Sequence, residues 1–299
     1  MGDYVVRLAS PFEPHWVGRR LIPALTLIVA VHGAAAAAPP QQIASRQILA
    51  AVTDARGQPI ADIDPDDFVI READQVRDVL SIRVADYPIV VVIDNGPGAN
   101  RDFEAIRQAS SRFISRAGRR PIAVASTSPP RVIATFADDR STLLERVNKL
   151  RKGRSPDGLL PAVAAAAQDG RETGAPFVAV VLVAASPGGD AAPDILPAIL
   201  ESGANVHVVV QQRAWSPSAR RPRPSVDTLT ALVDGARGWL TSVTSADAFQ
   251  PALDGLANKL ASEWIVEYVV PADSAARSDV RLGVRIAEAK VTNWGVSRR

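Results

Sequence analysis

The sequence predicts an α/β fold: a doubly wound, mostly parallel sheet with one antiparallel edge strand, flanked by a small β domain built from N- and C-terminal segments. Three observations predict it. Unbroken apolar runs recur at Pro88–Asp94, Phe177–Val183 and Val206–Val210, the pattern of strands buried on both faces. Segments with helical spacing separate these runs, which is the alternation of a parallel sheet wound by helices. Runs that alternate apolar and polar residues, as half-buried strands do, are confined to residues 46–86 and 263–299.

Residues 1–38 read as a secretory signal peptide. Arg19 and Arg20 precede the apolar run Leu21–Val31, and the small-residue tract Ala34–Ala38 follows. The run falls short of the roughly 20 apolar residues that a spanning helix needs. An uncleaved N-terminal anchor is the alternative, and the only membrane contact expected. Residues 39–45, with two prolines, read as a linker.

Strands are then expected around Ile48–Val52, at Asp67–Glu72 and over Val76–Val84, with Asp54-Ala55-Arg56-Gly57 as a turn. This N-terminal β segment, 46–86, is too small to hold a core alone and needs a partner surface. The domain that follows spans 87–262. Its first buried strand ends at Asp94 and runs into the loop Asn95-Gly96-Pro97-Gly98. Phe103, Ile106, Ser110, Phe113, Ile114 and Ala117 mark one face of a helix that Gly118 stops. Ile122–Thr127 and Val132–Phe136 are separated only by Ser128-Pro129-Pro130, a connection short enough to require an antiparallel hairpin. Helices are expected around Leu143–Leu150, over the alanine-rich 158–169, around Ile195–Leu200, around Leu229–Val233 and over Phe249–Leu260. Trp239–Val243 reads as a short edge strand. The right-handed crossover rule places helices on both faces. The C-terminal segment, 263–299, returns to strands at Trp264–Val270, Val280–Ile286 and Val291–Trp294, and packs with 46–86.

Composition narrows the function. The 299 residues hold no cysteine and three histidines, His15, His32 and His207. Disulfide frameworks, thiol nucleophiles, zinc fingers and iron–sulfur sites are excluded. Cleavage of the leader would leave His207 alone, on a strand where it reads as a packed, hydrogen-bonded residue. Thirty-four Lys and Arg stand against 32 Asp and Glu, with no basic stripe carrying interleaved aromatics, so no nucleic-acid partner is expected. Gly96-Pro97-Gly98 lacks the spacing and the lysine of a phosphate cradle and reads as a tight turn. No nucleophile elbow is present. Trp239, Trp264 and Trp294 read as core of the β regions.

From Pro88 to Gly98 the chain resembles a von Willebrand factor type A domain, a Rossmann-like fold. The flanks extend the resemblance. Val52–Ile60 and Asp66–Glu72 look like the lead-in of the bacterial secreted, acidobacterial-type VWFA-related family. Trp264-Ile265-Val266-Glu267-Tyr268 is similar to that family's tyrosine-rich strand after the last helix. Together these cover about residues 46–294.

The resemblance implies a metal-ion-dependent adhesion site at the C-terminal edge of the sheet, where open α/β sheets bind ligands. Its Asp-x-Ser-x-Ser loop would lie at Asp94–Gly98, joined by a later threonine and a later aspartate. Here Asp94 is kept, but Gly96 and Gly98 replace both serines. The threonine loop aligns with Gly153–Gly158, where Ser155 and Asp157 are the available oxygens. Ala185 stands where the later aspartate should, and Asp190 lies further along. The site is therefore expected to be degenerate, and no metal or other cofactor is expected, with Mg²⁺ as the alternative. The residual role of Asp94 is structural, a strand-end carboxylate accepting backbone N–H bonds. A basic, proline-rich loop, Ser216–Pro224, adds Arg220, Arg221 and Arg223 at the same edge.

The expectation is an exported, non-enzymatic protein-binding or scaffolding module, independent of cations. It would bind another protein or envelope component through Asp94, Asn95 and their neighbours or through the arginine loop. Two rivals stay open: a metal-dependent adhesion module using Asp94, Ser155, Asp157 or Asp190, and an enzyme of unknown class. A purely structural part in an envelope complex is a third.

Overall fold

The computed structural model describes residues 43–155, 158–187, 194–212, 226–272 and 279–297. The leader 1–38, Asp157, Asp190 and the loop with Arg220, Arg221 and Arg223 lie outside the described residues.

In chain order the strands and helices are β1 (Ile43–Thr53), β2 (Phe68–Glu72), β3 (Gln75–Arg77), β4 (Val79–Val84), β5 (Ile89–Ile93), α1 (Phe103–Arg116), β6 (Ile122–Thr127), β7 (Pro130–Ala134), α2 (Arg140–Lys149), α3 (Leu159–Glu172), β8 (Ala179–Ala184), α4 (Ile195–Ser202), β9 (Asn205–Gln211), α5 (Val226–Gly235), β10 (Leu240–Val243), α6 (Phe249–Ala261), β11 (Glu263–Pro271), β12 (Val280–Val284) and β13 (Lys290–Val296). No described helix is long and apolar enough to cross a membrane.

The central sheet has the order β10-β9-β8-β5-β6-β7. Every neighbouring pair is parallel except β6 and β7, whose antiparallel hairpin closes one edge. This is the predicted doubly wound architecture. Its physical basis is visible in β5, which is buried along its whole length. Ile89, Val91 and Ile93 face a core built with Phe113 of α1, Val147 of α2 and Leu253 of α6. Val90 and Val92 face the opposite core, with Val163 of α3, Ile199 of α4 and Leu232 of α5. A strand so enclosed has no polar face, so its sequence cannot alternate.

The two terminal segments share a second sheet. β1 pairs antiparallel with β11 and with β13, and β11 with β4, in the order β13-β1-β11-β4. Ile48, Val52, Trp264 and Val266 point away from the central sheet into a third core, closed by Phe68 and Ile70 of a three-stranded sheet, β12-β2-β3. Leu49 and Ile265, one residue out of phase, join the central core instead. Alternation along β1 and β11 thus serves two cores.

Three local expectations are corrected. β1 begins at Ile43, inside the stretch read as a linker, because residues 43–45 continue the ladder with β11. Val76–Val84 is not one strand. It divides at Asp78 because β3 folds back on β2 through Ala73 and Asp74, both at positive φ, whereas β4 pairs with β11. β7 starts at Pro130, two residues early, since the edge position leaves no ladder N–H for proline to lack.

A buried charged cluster joins the outer sheet to the central layer. The hydroxyl of Tyr87 donates to Glu263 Oε2 at 2.5 Å, and Arg120 Nη2 approaches the same oxygen at 3.3 Å. The Arg120 guanidinium lies 4.3 Å from the centre of the Tyr87 ring. Glu263 is fully buried, and its Oε1 meets no donor among the described residues. Burial is the main cause that lifts its carboxyl from the ordinary 4.5 to about 7, against the opposing pull of Arg120. The native state then holds a proton that the unfolded chain releases. Its contribution to stability is complete below pH 4.5 and is lost as pH rises to 7. Urea titrations of wild type and Glu263→Gln should show their stability difference shifting by about 3 kcal/mol across that window, against wild type at the higher pH. A difference that does not vary with pH would refute this.

Candidate functional site at the sheet edge

The site follows from strand register. Ile93, the last residue of β5, pairs with Ser126 of β6 on one side and Val183 of β8 on the other. Asp94 and Asn95 therefore emerge at the C-terminal edge of the sheet, level with Thr127 and Ala185. Asp94 is 2% exposed and Asn95 3%.

Asp94 is engaged on both carboxylate oxygens. Oδ1 accepts from the Gly96 N–H at 3.0 Å and the Thr127 hydroxyl at 3.2 Å, and Oδ2 from the Ala185 N–H at 3.1 Å. Thr127 comes from β6, not from the loop before α3. Sequence reading missed it because pairing register is a long-range property.

Asn95 stitches three segments. Its Oδ1 accepts from the Thr127 N–H at 3.1 Å and the Ser128 N–H at 2.8 Å. Its Nδ2 donates to the carbonyls of Ser128 and Arg151, both at 2.9 Å. Its own carbonyl accepts from the Gly153 N–H at 2.6 Å. A Cβ on Gly153 would lie 2.2 Å from Ser128 Oγ, so only glycine lets the α2–α3 loop close on the hairpin. Ser128 Oγ bonds the backbone of Ser155 in both directions at 3.1 Å, donating to its carbonyl and accepting from its N–H. Ser155 itself is exposed. Of the sequence-predicted residues, Asp94 and Asn95 sit side by side in this knot and Ser155 borders it by its backbone.

These residues do not fit a divalent cation. Gly96 and Gly98 carry no oxygen, Ala185 presents a methyl group, and the Asp94 oxygens face donors. Among the described residues no group of three His, Asp or Glu side chains converges.

Beside the knot lies a crevice of ≈ 430 Å³ floored by Asn95 and Ser128 and walled by Arg131, Arg146, Lys149, Arg151, Lys152 and Arg154. Two of the six cations are neutralised nearby: Arg146 pairs with Asp138 at 3.0 Å, and Lys149 pairs with Glu145. Arg131, Arg151, Lys152 and Arg154 are exposed and form no ion pair among the described residues. Sequence reading passed over this cluster, because its members come from a strand, a helix and a loop.

No family model and no curated protein matches the sequence. Solved structures that resemble it include a von Willebrand factor type A protein from Catenulispora acidiphila. That one has 11% identity and a TM-score of 0.49, over 85% of this chain and 73% of that one. An aerotolerance-related membrane protein from Bacteroides fragilis shows 15% identity and a TM-score of 0.40, over 58% of this chain and 99% of that one. The pilus adhesin SpaC from Lactobacillus rhamnosus GG shows 10% identity and a TM-score of 0.42, over 80% of this chain and 48% of that one. The chain has a von Willebrand factor A-like fold. The strand order with its single antiparallel edge carries that assignment.

Proposed function

We propose that the protein is an exported, non-enzymatic binding module that holds an acidic polypeptide at its sheet edge without a divalent cation. The observation that carries this reading is the basic crevice beside the closed Asp94–Asn95 knot. Where a metal-dependent site would offer one cation to a partner's carboxylate, this edge offers four exposed cations. Among the described residues the crevice walls hold no aromatic platform on which bases would stack, which favours a polypeptide over a nucleic acid. Two deeply buried titratable groups have partners within the packing: Glu263 with Tyr87 and Arg120, His207 with Trp239. This supports a non-enzymatic role. Export rests on the sequence of residues 1–38.

Binding of fluorescent polyglutamate tests the reading. Binding should persist in a chelator and weaken with salt. The double variant Arg151→Glu, Lys152→Glu should bind about tenfold or more weakly with unchanged unfolding, since both side chains are exposed. Binding that needs added Mg²⁺ would favour the metal-dependent rival. Binding indifferent to the charge reversal would overturn the role of the crevice.

A further inference from the structure

At the opposite end of β9 a cavity of ≈ 470 Å³ lies between the start of that strand, the α5–β10 turn and β13. Its size is that of a small-molecule pocket. Asn205 lines it and is 6% exposed, yet its Nδ2 has no hydrogen-bond partner among the described residues. Trp294 lines it too, and its indole Nε1 is buried without a partner among the described residues. Both groups are donors. Buried donors are nearly always satisfied, so two that line one cavity call for an acceptor from outside the chain.

Arg237, also in the lining, supplies positive charge and a second kind of evidence. Its φ is +54°, a left-handed conformation that costs a residue with a side chain. The turn is pinned there because Gly238 lies against β9, where a Cβ would fall 1.7 Å from the Val206 carbonyl oxygen. The Arg237 guanidinium is carried across Gly295, within 2.4 Å of where a Cβ would stand, and reaches the Trp294 carbonyl at 3.5 Å. An arginine is thereby held against the backbone of Trp294, whose indole packs edge-on against Trp239 with ring centres 4.1 Å apart. Arg171 adds a second cation to the lining, in which Glu201 is the single acid among the described residues, leaving that lining net positive.

We infer that this cavity is a binding site for a small anion with acceptor oxygens, a carboxylate or a phosphate. The anion accepts from Asn205 Nδ2 and Trp294 Nε1 and is balanced by Arg237. The site is separate from the sheet-edge crevice and does not depend on the function proposed there.

The test is a titration of the ¹⁵N-labelled full chain with succinate and, separately, with inorganic phosphate. The Trp294 indole N–H signal, assigned by its loss in Trp294→Phe, is the readout. The expected result is a saturable downfield shift of that signal. Response to succinate alone assigns a carboxylate ligand, and response to phosphate alone a phosphoryl one. Arg237→Gly removes the cation while glycine accepts the positive φ, so it should weaken binding about tenfold or more without lowering the melting temperature. Arg151→Glu, in the other crevice, should leave the shift unchanged. Absence of a saturable shift with either anion, or full affinity in Arg237→Gly, would overturn the inference.

Discussion

Replacing Asn95 by alanine is expected to lower stability by about 4 kcal/mol, the largest effect of any single truncation at the sheet edge. The side chain makes five hydrogen bonds, to two N–H groups, the Thr127 hydroxyl and two carbonyls, at 2.8 to 3.4 Å. Alanine leaves all five without that partner. A buried group stranded in this way costs about 1–3 kcal/mol, less where solvent reaches it, as beside exposed Arg151. Asn95→Asp separates shape from chemistry. It keeps the acceptor but turns the donor toward two carbonyls as an oxygen, and it places a carboxylate next to buried Asp94. Its loss should equal or exceed that of alanine. Urea denaturation measures both, with an unchanged m-value showing that the native state itself is intact. A loss below about 1 kcal/mol for either variant would show that the knot does not hold the edge together. The α2–α3 loop and the hairpin meet through Asn95, so polyglutamate binding at the crevice should weaken along with stability.

The difference between what was legible in the sequence and what was not follows the range of the interactions. The central sheet was legible because burial on both faces removes polar residues from a strand, as Ile89–Ile93 shows locally. The hairpin of β6 and β7 was legible because so short a connection, Ser128-Pro129 in the structure, admits no crossover. The structural part of Asp94 was legible too, since a carboxylate at a strand end finds the next N–H groups within its own loop, here that of Gly96. Thr127 was not, because its place beside Asp94 depends on the pairing of Ile93 with Ser126 across two strands. The division at Asp78 was hidden for the same reason, since residues 76–84 alternate suitably for one strand while their partners lie in two sheets. The basic crevice was the least legible. Its cations are scattered from Arg131 to Arg154 without a period, and only the closure of the Gly153 loop on Ser128 gathers them.

His207 is the second large effect, and it sets an acid limit on the fold. The imidazole is fully buried in β9, stacked on Trp239 with ring centres 4.9 Å apart, and its Nδ1 accepts from the Trp239 N–H at 3.2 Å. That bond fixes the neutral ring with its proton on Nε2, which has no partner among the described residues. A second proton would go to Nδ1 and break the bond inside an apolar wall. Burial first, then the charges of Arg120 and Lys259, lower its pKa from 6.5 to about 3. The unfolded chain therefore takes up a proton near pH 6.5 that the native state refuses. The stability from the neutral ring is complete above pH 6.5 and drains away as pH falls toward 3, by about 5 kcal/mol in all. His207→Asn isolates this contribution, since the amide oxygen can accept from Trp239 and cannot titrate. Between pH 7 and pH 4 wild type should lose about 3 kcal/mol more than His207→Asn. The opposite slope of Glu263 is present in both proteins and cancels. Equal losses in the two proteins would mean that the native state admits the proton, and that the aromatic stack opens where the structure shows it closed.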